Sequence, residues 1–384
     1  MKFFLLVFFI SSFYCSVAQQ GKKEFRGVWI ATIDNIDWPD TPRIGAEQQK
    51  ASFIKLLDMH KKNGMNAIVF QIRPAADAFY PSPYEPWSQW LTGVQGVPPV
   101  PLYDPLEFMI AETHRRGMEF HAWMNPYRAV FNITRSSVAA DHITRTRPEW
   151  FVTYGGKKYF DPALPAAQDF VTEIVKDVVK RYKPDAIHFD DYFYPYPLPG
   201  IPFPDDVTYR KNSRGLSKAA WRRSNTDSII LKVSTAIKQV NKNCRFGISP
   251  FGIWRNANAD KDGSLSKGLS NYDDLYADIL LWLKKGWIDY VAPQLYWAIG
   301  NRSAPFEVMT EWWSRHTYGK DCYIGIGYYM AGYNAAWRDK TQIPRQIRVI
   351  RNTPNMKGMI FYSSRSFEKN PYGWNDSLRT NYFK

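Results

Sequence analysis

The sequence predicts an α/β protein: a (β/α)8 TIM barrel in one domain, with long strand-to-helix loops at the C-terminal face of the barrel. Two patterns carry that expectation. Apolar, β-rich runs alternate with longer amphipathic runs eight times along the chain, and strict alternation implies parallel strands joined by right-handed crossovers. The connections are also lopsided. Helix-to-strand turns such as "KNGMN", "RRGME", "YKPDA" and "KKGWID" are short, whereas segments 74–104, 126–165, 191–216 and 252–271 are long. Loops elaborated on one side are what a barrel shows when its working face lies at the C-terminal ends of its strands.

The elements follow in order. "FRGVWIAT" (25–32) is the first strand run, with a helix near 47–62, and "NAIVFQIR" (66–73) precedes a helix near 105–116. "MEFHAWMN" (118–125) pairs with 166–182, and "DAIHFD" (185–190) with 217–240. "CRFGISPF" (244–251) leads to 272–285, and "DYVAPQLYW" (289–297) to 305–317. "CYIGIGYY" (322–329) leads to 340–351, and "GMIFYSS" (358–364) to 374–381. Each strand run is short, rich in β-branched and aromatic residues, and bounded by turn formers. The Pro-rich "PYPLPGIPFP" (195–204) falls inside one unit and reads as a rigid loop over the site, not as a linker.

The start, "MKFFLLVFFISSFYCSVAQQ", has a Lys, an apolar run and a small-residue cleavage site, the pattern of a secretory signal. Cleavage is expected after Ala18, leaving 19–384 as the barrel domain of an exported protein, periplasmic or extracellular. Lipidation at Cys15 is the alternative anchor, although Tyr14 is a poor residue before it. Phe3–Ile10 is too short to span a bilayer. Cys244 and Cys322 then remain and read as buried thiols. The formal charge of +14 favours an anionic polymer such as cell-wall glycan. No basic run interleaved with aromatics suggests a nucleic-acid partner.

Aromatics make up 16% of residues and gather in the long loops, as in "YPSPYEPWSQW" and "PFGIWRNAN". That placement points to a cleft that stacks sugar rings. Strand side chains alternate, and outward positions meet apolar helices, so polar residues at strand ends face the barrel mouth. By this parity Gln71, Arg73, His121, Asn125, His188, Asp190, Gln294 and Tyr296 converge there. Asp190 ends its strand facing inward, and Asp191 follows. Glycosidic cleavage needs a protonated carboxyl for the leaving oxygen and a second anionic group for the oxocarbenium-like carbon. Adjacent acids suit an arrangement in which the substrate's own 2-acetamido group attacks, one Asp orienting it and the other acting as general acid. Glu85 is the candidate carboxyl across the cleft, with Asp77 beside it in the same loop; Asp34 and Asp37 read as turn acids. With six His, no HExxH and no zinc-spaced Cys/His pair, neither metal nor cofactor is expected.

Six ordered motifs, "FRGVWIATIDNIDWP", "QIRPAADAFYPSPYEPWS", "HAWMNPYR", "HFDDYFYPYP", "GISPFGIWRN" and "APQLYW", resemble the glycosyl-hydrolase-like 10 family of exported bacterial proteins. The resemblance runs from about Phe25 to about Tyr362 and implies a TIM-barrel glycosidase. It implies a peptidoglycan glycan substrate, since a relative is understood to cut glycan strands stripped of peptides. The carried-over site residues are Gln71, Arg73, Asn125, Tyr127, Asp190, Asp191, Gln294 and Tyr296, with Trp29, Trp254 and Trp297 as sugar platforms. The Asp pair is similar to that of barrel hexosaminidases using acetamido participation, but Tyr192 stands where the chitinase pattern carries its acid Glu. Two alternatives remain at this stage: a glycosidase for another polysaccharide using Asp190 with Glu85, and a glycan-binding barrel without catalysis.

Overall fold

A computed structural model describes residues 24–383. The expected signal peptide and Cys15 lie outside the described residues. In chain order the strands are β1 (Phe25–Ile30), β2 (Ala67–Arg73), β3 (Glu119–Met124), β4 (Arg128–Val130), β5 (Phe151–Tyr154), β6 (Lys157–Phe160), β7 (Ala186–Phe189), β8 (Arg245–Ile248), β9 (Tyr290–Val291), β10 (Gln294–Leu295), β11 (Asp321–Gly327) and β12 (Met356–Tyr362). Parallel pairing runs β1-β2-β3-β7-β8-β9. It continues from β9 and β10 to β11, on to β12 and back to β1, closing the barrel. β9 and β10 are halves of one stave, interrupted beside Pro293, which has no N–H to give to a ladder.

Alternation sorts each strand between two cores. Val28, Ile30, Ile68, Phe70, Ile187 and Phe189 face the helices, while Trp29, Val69, Trp123, Ala186 and Tyr290 fill the barrel interior. Burying side chains of this size stabilises by about 1.5–3 kcal/mol each. Gly247 is required by packing: a Cβ there would lie 2.0 Å from the Tyr290 ring. The absent side chain at 247 is what seats Tyr290 in the interior.

The outer helices form where capping and stripe agree. Asp104 accepts from the backbone of Leu106 and Glu107 at 3.1 and 3.2 Å, and Pro105 opens the helix Pro105–Arg115. Such a cap contributes about 1 kcal/mol. The helix Pro165–Tyr182 buries Val171, Ile174, Val175 and Val178 along one face and ends on Lys183 in the left-handed region. Two expected helices differ. The one placed at 272–285 begins only at Ile279, because Asp278 caps it by accepting from Leu281 N at 3.2 Å. The last, expected at 374–381, is α-helical over Trp374–Ser377 and continues as a wider turn, after an additional short helix at Ser364–Lys369.

Two features depart further from the expected pattern. The segment 126–165 holds a three-stranded antiparallel sheet, β4-β6-β5, whose hairpin turns at Gly155 and Gly156, both at positive φ. β2 also carries a bulge: Gln71 pairs with Trp123, but Arg73 pairs with Met124. Cys244 and Cys322 are buried free thiols. Among the described residues no helix is long and apolar enough to cross a membrane.

Candidate active site

The C-terminal strand ends open into a cleft of about 600 Å³, and half of its lining residues are aromatic. Asp190, one residue beyond β7, lies on its floor. Trp123 Nε1 donates to its Oδ2 at 3.1 Å, and Asn125 Nδ2 reaches both carboxylate oxygens at 3.0 Å. Asn125 is itself fixed, since its Oδ1 accepts from Arg128 N at 2.7 Å. Asp191 points into the same cleft and accepts from the Tyr196 hydroxyl.

Both carboxyls are buried, with consequences of different size. Burial pushes Asp190 upward, while the Arg128 charge and the Asn125 and Trp123 donors pull it back. Burial and then the neighbouring Asp190 charge push Asp191 up to about 7, against the pull of Tyr196 and Gln294. Two like charges this close cannot both be held easily, so the two carboxyls resist ionising together.

Of the residues expected at the mouth, Gln71, Gln294, Tyr296, Trp29 and Trp297 line the cleft with the Asp pair. Gln71 accepts through Oε1 from Thr32 N and Ile33 N at 3.0 and 2.9 Å, while its buried Nε2 has no protein acceptor. Gln294 Nε2 donates to Ser249 O at 2.8 Å. Asn125 reaches the site through Asp190.

Seven of the expected residues sit elsewhere. The β2 bulge puts Arg73 out of phase, and its guanidinium is fully buried against Glu85, 2.5 Å from Oε1. Arg73 also donates to the carbonyl of Asn125 at 2.5 Å, bracing the turn that carries that side chain. Glu85, spent on Arg73, is absent from the cleft lining, as is Asp77, which accepts from Ala75 N and Gln95. Tyr127 turns outward at the Asn125–Arg128 turn and packs near Phe160 in the outer core. Trp254 stacks on Trp312 and donates to Asp278, again in the outer core. His121 and His188 lie beneath the mouth, inside the barrel, both within 2.9 Å of the Tyr290 hydroxyl. Burial pushes both imidazoles down, holding them neutral.

Parity missed other lining residues: Trp123, Arg128, Phe131, Tyr192, Tyr196 and Tyr362. Trp123 shares the inward phase of His121 and Asn125, so alternation itself was a sufficient signal. Arg128 closes the motif "HAWMNPYR". Beyond the Asp pair, Asp34 is the other carboxyl on the lining, at its exposed rim.

The sequence model of the family described as "Glycosyl hydrolase-like 10" matches residues 24–342. The chain belongs to the glycosyl hydrolase-like 10 family. Relatives of this glycosyl hydrolase-like 10 chain include "Glycosyl hydrolase YngK" of Bacillus subtilis (strain 168), 44% identical over 99% of this chain and 76% of that protein. Another is "Glycosyl hydrolase DigH" of Escherichia coli (strain K12), 37% identical over 90% of this chain and 84% of that protein. Solved structures similar in fold include the catalytic domain of β-amylase from Paenibacillus polymyxa, at TM-score 0.58 and 11% identity over 93% of this chain and 97% of that one. The PgaB (BpsB) glycoside hydrolase domain from Bordetella bronchiseptica gives TM-score 0.55 and 16% identity over 93% and 98%. The glycosyl hydrolase-like 10 match ends before β12, which both closes the barrel and carries Tyr362 to the cleft wall.

Proposed function

We propose that this protein is an exported retaining glycoside hydrolase that cuts an N-acetylhexosamine polymer, with peptidoglycan glycan as the favoured substrate. One observation carries the reading: two adjacent buried carboxyls with unequal surroundings on the floor of an aromatic cleft. Aromatic walls suit the C–H faces of sugar rings. The names of the two curated relatives agree with hydrolysis, and the leader-like N-terminus supports export.

In this reading Asp191, protonated up to about pH 7, gives its proton to the glycosidic oxygen as the C1–O bond breaks. The substrate's acetamido oxygen attacks C1 and forms an oxazolinium ring. Asp190, held by Trp123 and Asn125, accepts from the acetamido N–H and stabilises the positive charge that develops there. Asp191, now a carboxylate, takes a proton from water as the water attacks C1. The ring opens and the configuration is retained. Glu85 as the second carboxyl is disfavoured by its ion pair with Arg73.

The test is incubation with peptide-free peptidoglycan, chitin oligomers and polysaccharides lacking acetamido groups, followed by mass spectrometry and NMR of fresh products. Release of β-configured N-acetylhexosaminyl ends from the first two is expected. Turnover of the acetamido-free polymers at equal rates would remove the participating group from the mechanism. Binding of all three without products would leave a glycan-binding barrel.

A further inference from the structure

Arg128 is unusual among the buried cations of this barrel. Only 7% of it is exposed, yet it lies on the cleft wall. Its Nε donates to Pro74 O at 2.9 Å, and among the described residues no side chain or carbonyl accepts from its two terminal nitrogens. The other deeply buried guanidiniums are answered: Arg73 by Glu85, and Arg222 by Asp205. Arg128 instead has a second cation for company. Its guanidinium lies 5.6 Å from the Tyr192 ring centre and 5.7 Å from that of Phe131, and Lys157 Nζ, which donates to Phe131 O at 3.2 Å, lies 4.4 Å from the Phe131 ring. Burial, then the Arg128 and Arg135 charges, lower the Lys157 ammonium from its ordinary value. Asp190 and Asp34 act on the two cations only at a distance, and holding like charges together in a partly dry wall is unfavourable unless an anion pairs with them directly. A guanidinium with two free parallel N–H groups matches a carboxylate bidentately.

We propose that Arg128, supported by Lys157, binds a carboxylate carried on a sugar of the substrate, so that the cleft selects acidic glycans. This rests on the glycan-cleft reading and deepens it by naming the chemical class. Two sources share the chemistry: a lactyl ether on an N-acetylhexosamine, and the ring carboxylate of a uronic acid. The competing role for Arg128 is counter-charge to Asp190. That role predicts no sensitivity to charge on the sugar.

The experiment is calorimetric binding to full-length protein carrying Asp191→Asn, which keeps the cleft and removes the acid. The probes are peptide-free peptidoglycan tetrasaccharide, a hyaluronan tetrasaccharide and the methylamide of each, with chitin tetrasaccharide as the neutral reference. One acid is expected to bind roughly 10–100-fold tighter than its own amide, and which acid does so identifies the source. Adding Arg128→Gln is expected to bring acid and amide together, with Arg128→Lys in between. Equal affinity of acid and amide for both sugars overturns the proposal, as does a preference that survives Arg128→Gln or no binding of either acid. If Arg128→Gln does not fold, the acid-against-amide comparison on Asp191→Asn alone decides. Turnover by the unaltered chain is read separately. Products without an acid preference sink only the carboxylate site, and a preference without products sinks only the hydrolase.

Discussion

At the floor of the barrel Arg245 is met on every side. Glu119 pairs with it, Asp321 stands 3.9 Å away, and it donates to the Tyr323 hydroxyl at 2.8 Å. His121 Nε2 lies 3.1 Å from the same Glu119. At the mouth, one strand length away, two carboxyls stand side by side, and Arg128 acts on Asp190 only at a distance, with no direct ion pair among the described residues. Charges that hold the barrel shut neutralise one another. Charges left unanswered, at a cost in stability, are those positioned for something that arrives from outside. The Arg73–Glu85 pair makes the distinction sharper, because it lies near the mouth yet is fully buried and complete. Position alone does not mark a site; incompleteness does.

The largest effect is expected at the unanswered end. Asp191→Asn and Asp190→Asn should each lower turnover by about 10²–10⁴-fold, the span of general acid–base contributions, with no loss of Tm. Losses below tenfold at both positions, measured as kcat on the cleaved glycan, would break the comparison. Next comes the completed pair beside it. Glu85→Gln strands a buried guanidinium and should destabilise by about 3 kcal/mol in urea unfolding, leaving the folded enzyme within a few-fold of normal kcat. Lost turnover at unchanged stability would instead make Glu85 a catalytic group.

A smaller effect concerns pH. Asp191 is raised from 3.8 to about 7, so kcat/KM should fall tenfold per pH unit above about 7, and Asp191→Asn should lack that limb. The sign for stability is opposite to that of an ion-paired acid. The stabilisation linked to this proton is complete below the unfolded value and lost as pH rises through about 7. Asp191→Asn should therefore melt higher than the parent at pH 8, and the gain should shrink at pH 4. The smallest effect belongs to the floor. Glu119→Gln, on a partly exposed pair, should cost under about 1 kcal/mol and leave kcat unchanged. A change in kcat there would mean that the two ends communicate.

Much of this was legible in the sequence because period-two alternation is a strong constraint on a strand buried on both faces. It located Gln71, Asp190, Gln294 and Tyr296 at one mouth without any contact information. It failed where the period itself was interrupted. Arg73 follows a bulge, which leaves no trace in the apolar pattern. Tyr127 and Trp254 lie past their strand ends, where turn geometry takes over from parity. The small sheet was hidden for a different reason: "FVTYGGKKYF" has paired glycines between two short β-rich runs, a recognised hairpin signal, but it sits inside what reads as one long loop. Arg128 and Lys157 both belong to that sheet, so missing it meant missing the cations.

The bulge in β2 works like a shift in reading frame. Were the same residues paired without the bulge, the strand's inward phase would continue from Gln71 to position 73 and turn a second guanidinium toward the mouth. With it, Arg73 is diverted to Glu85 and the cleft receives its cation from β4 instead. Deleting Ile72 should therefore regularise the ladder without changing the cleft's cation: Arg73 would follow Gln71 directly, still opposite Met124 and still beside Glu85.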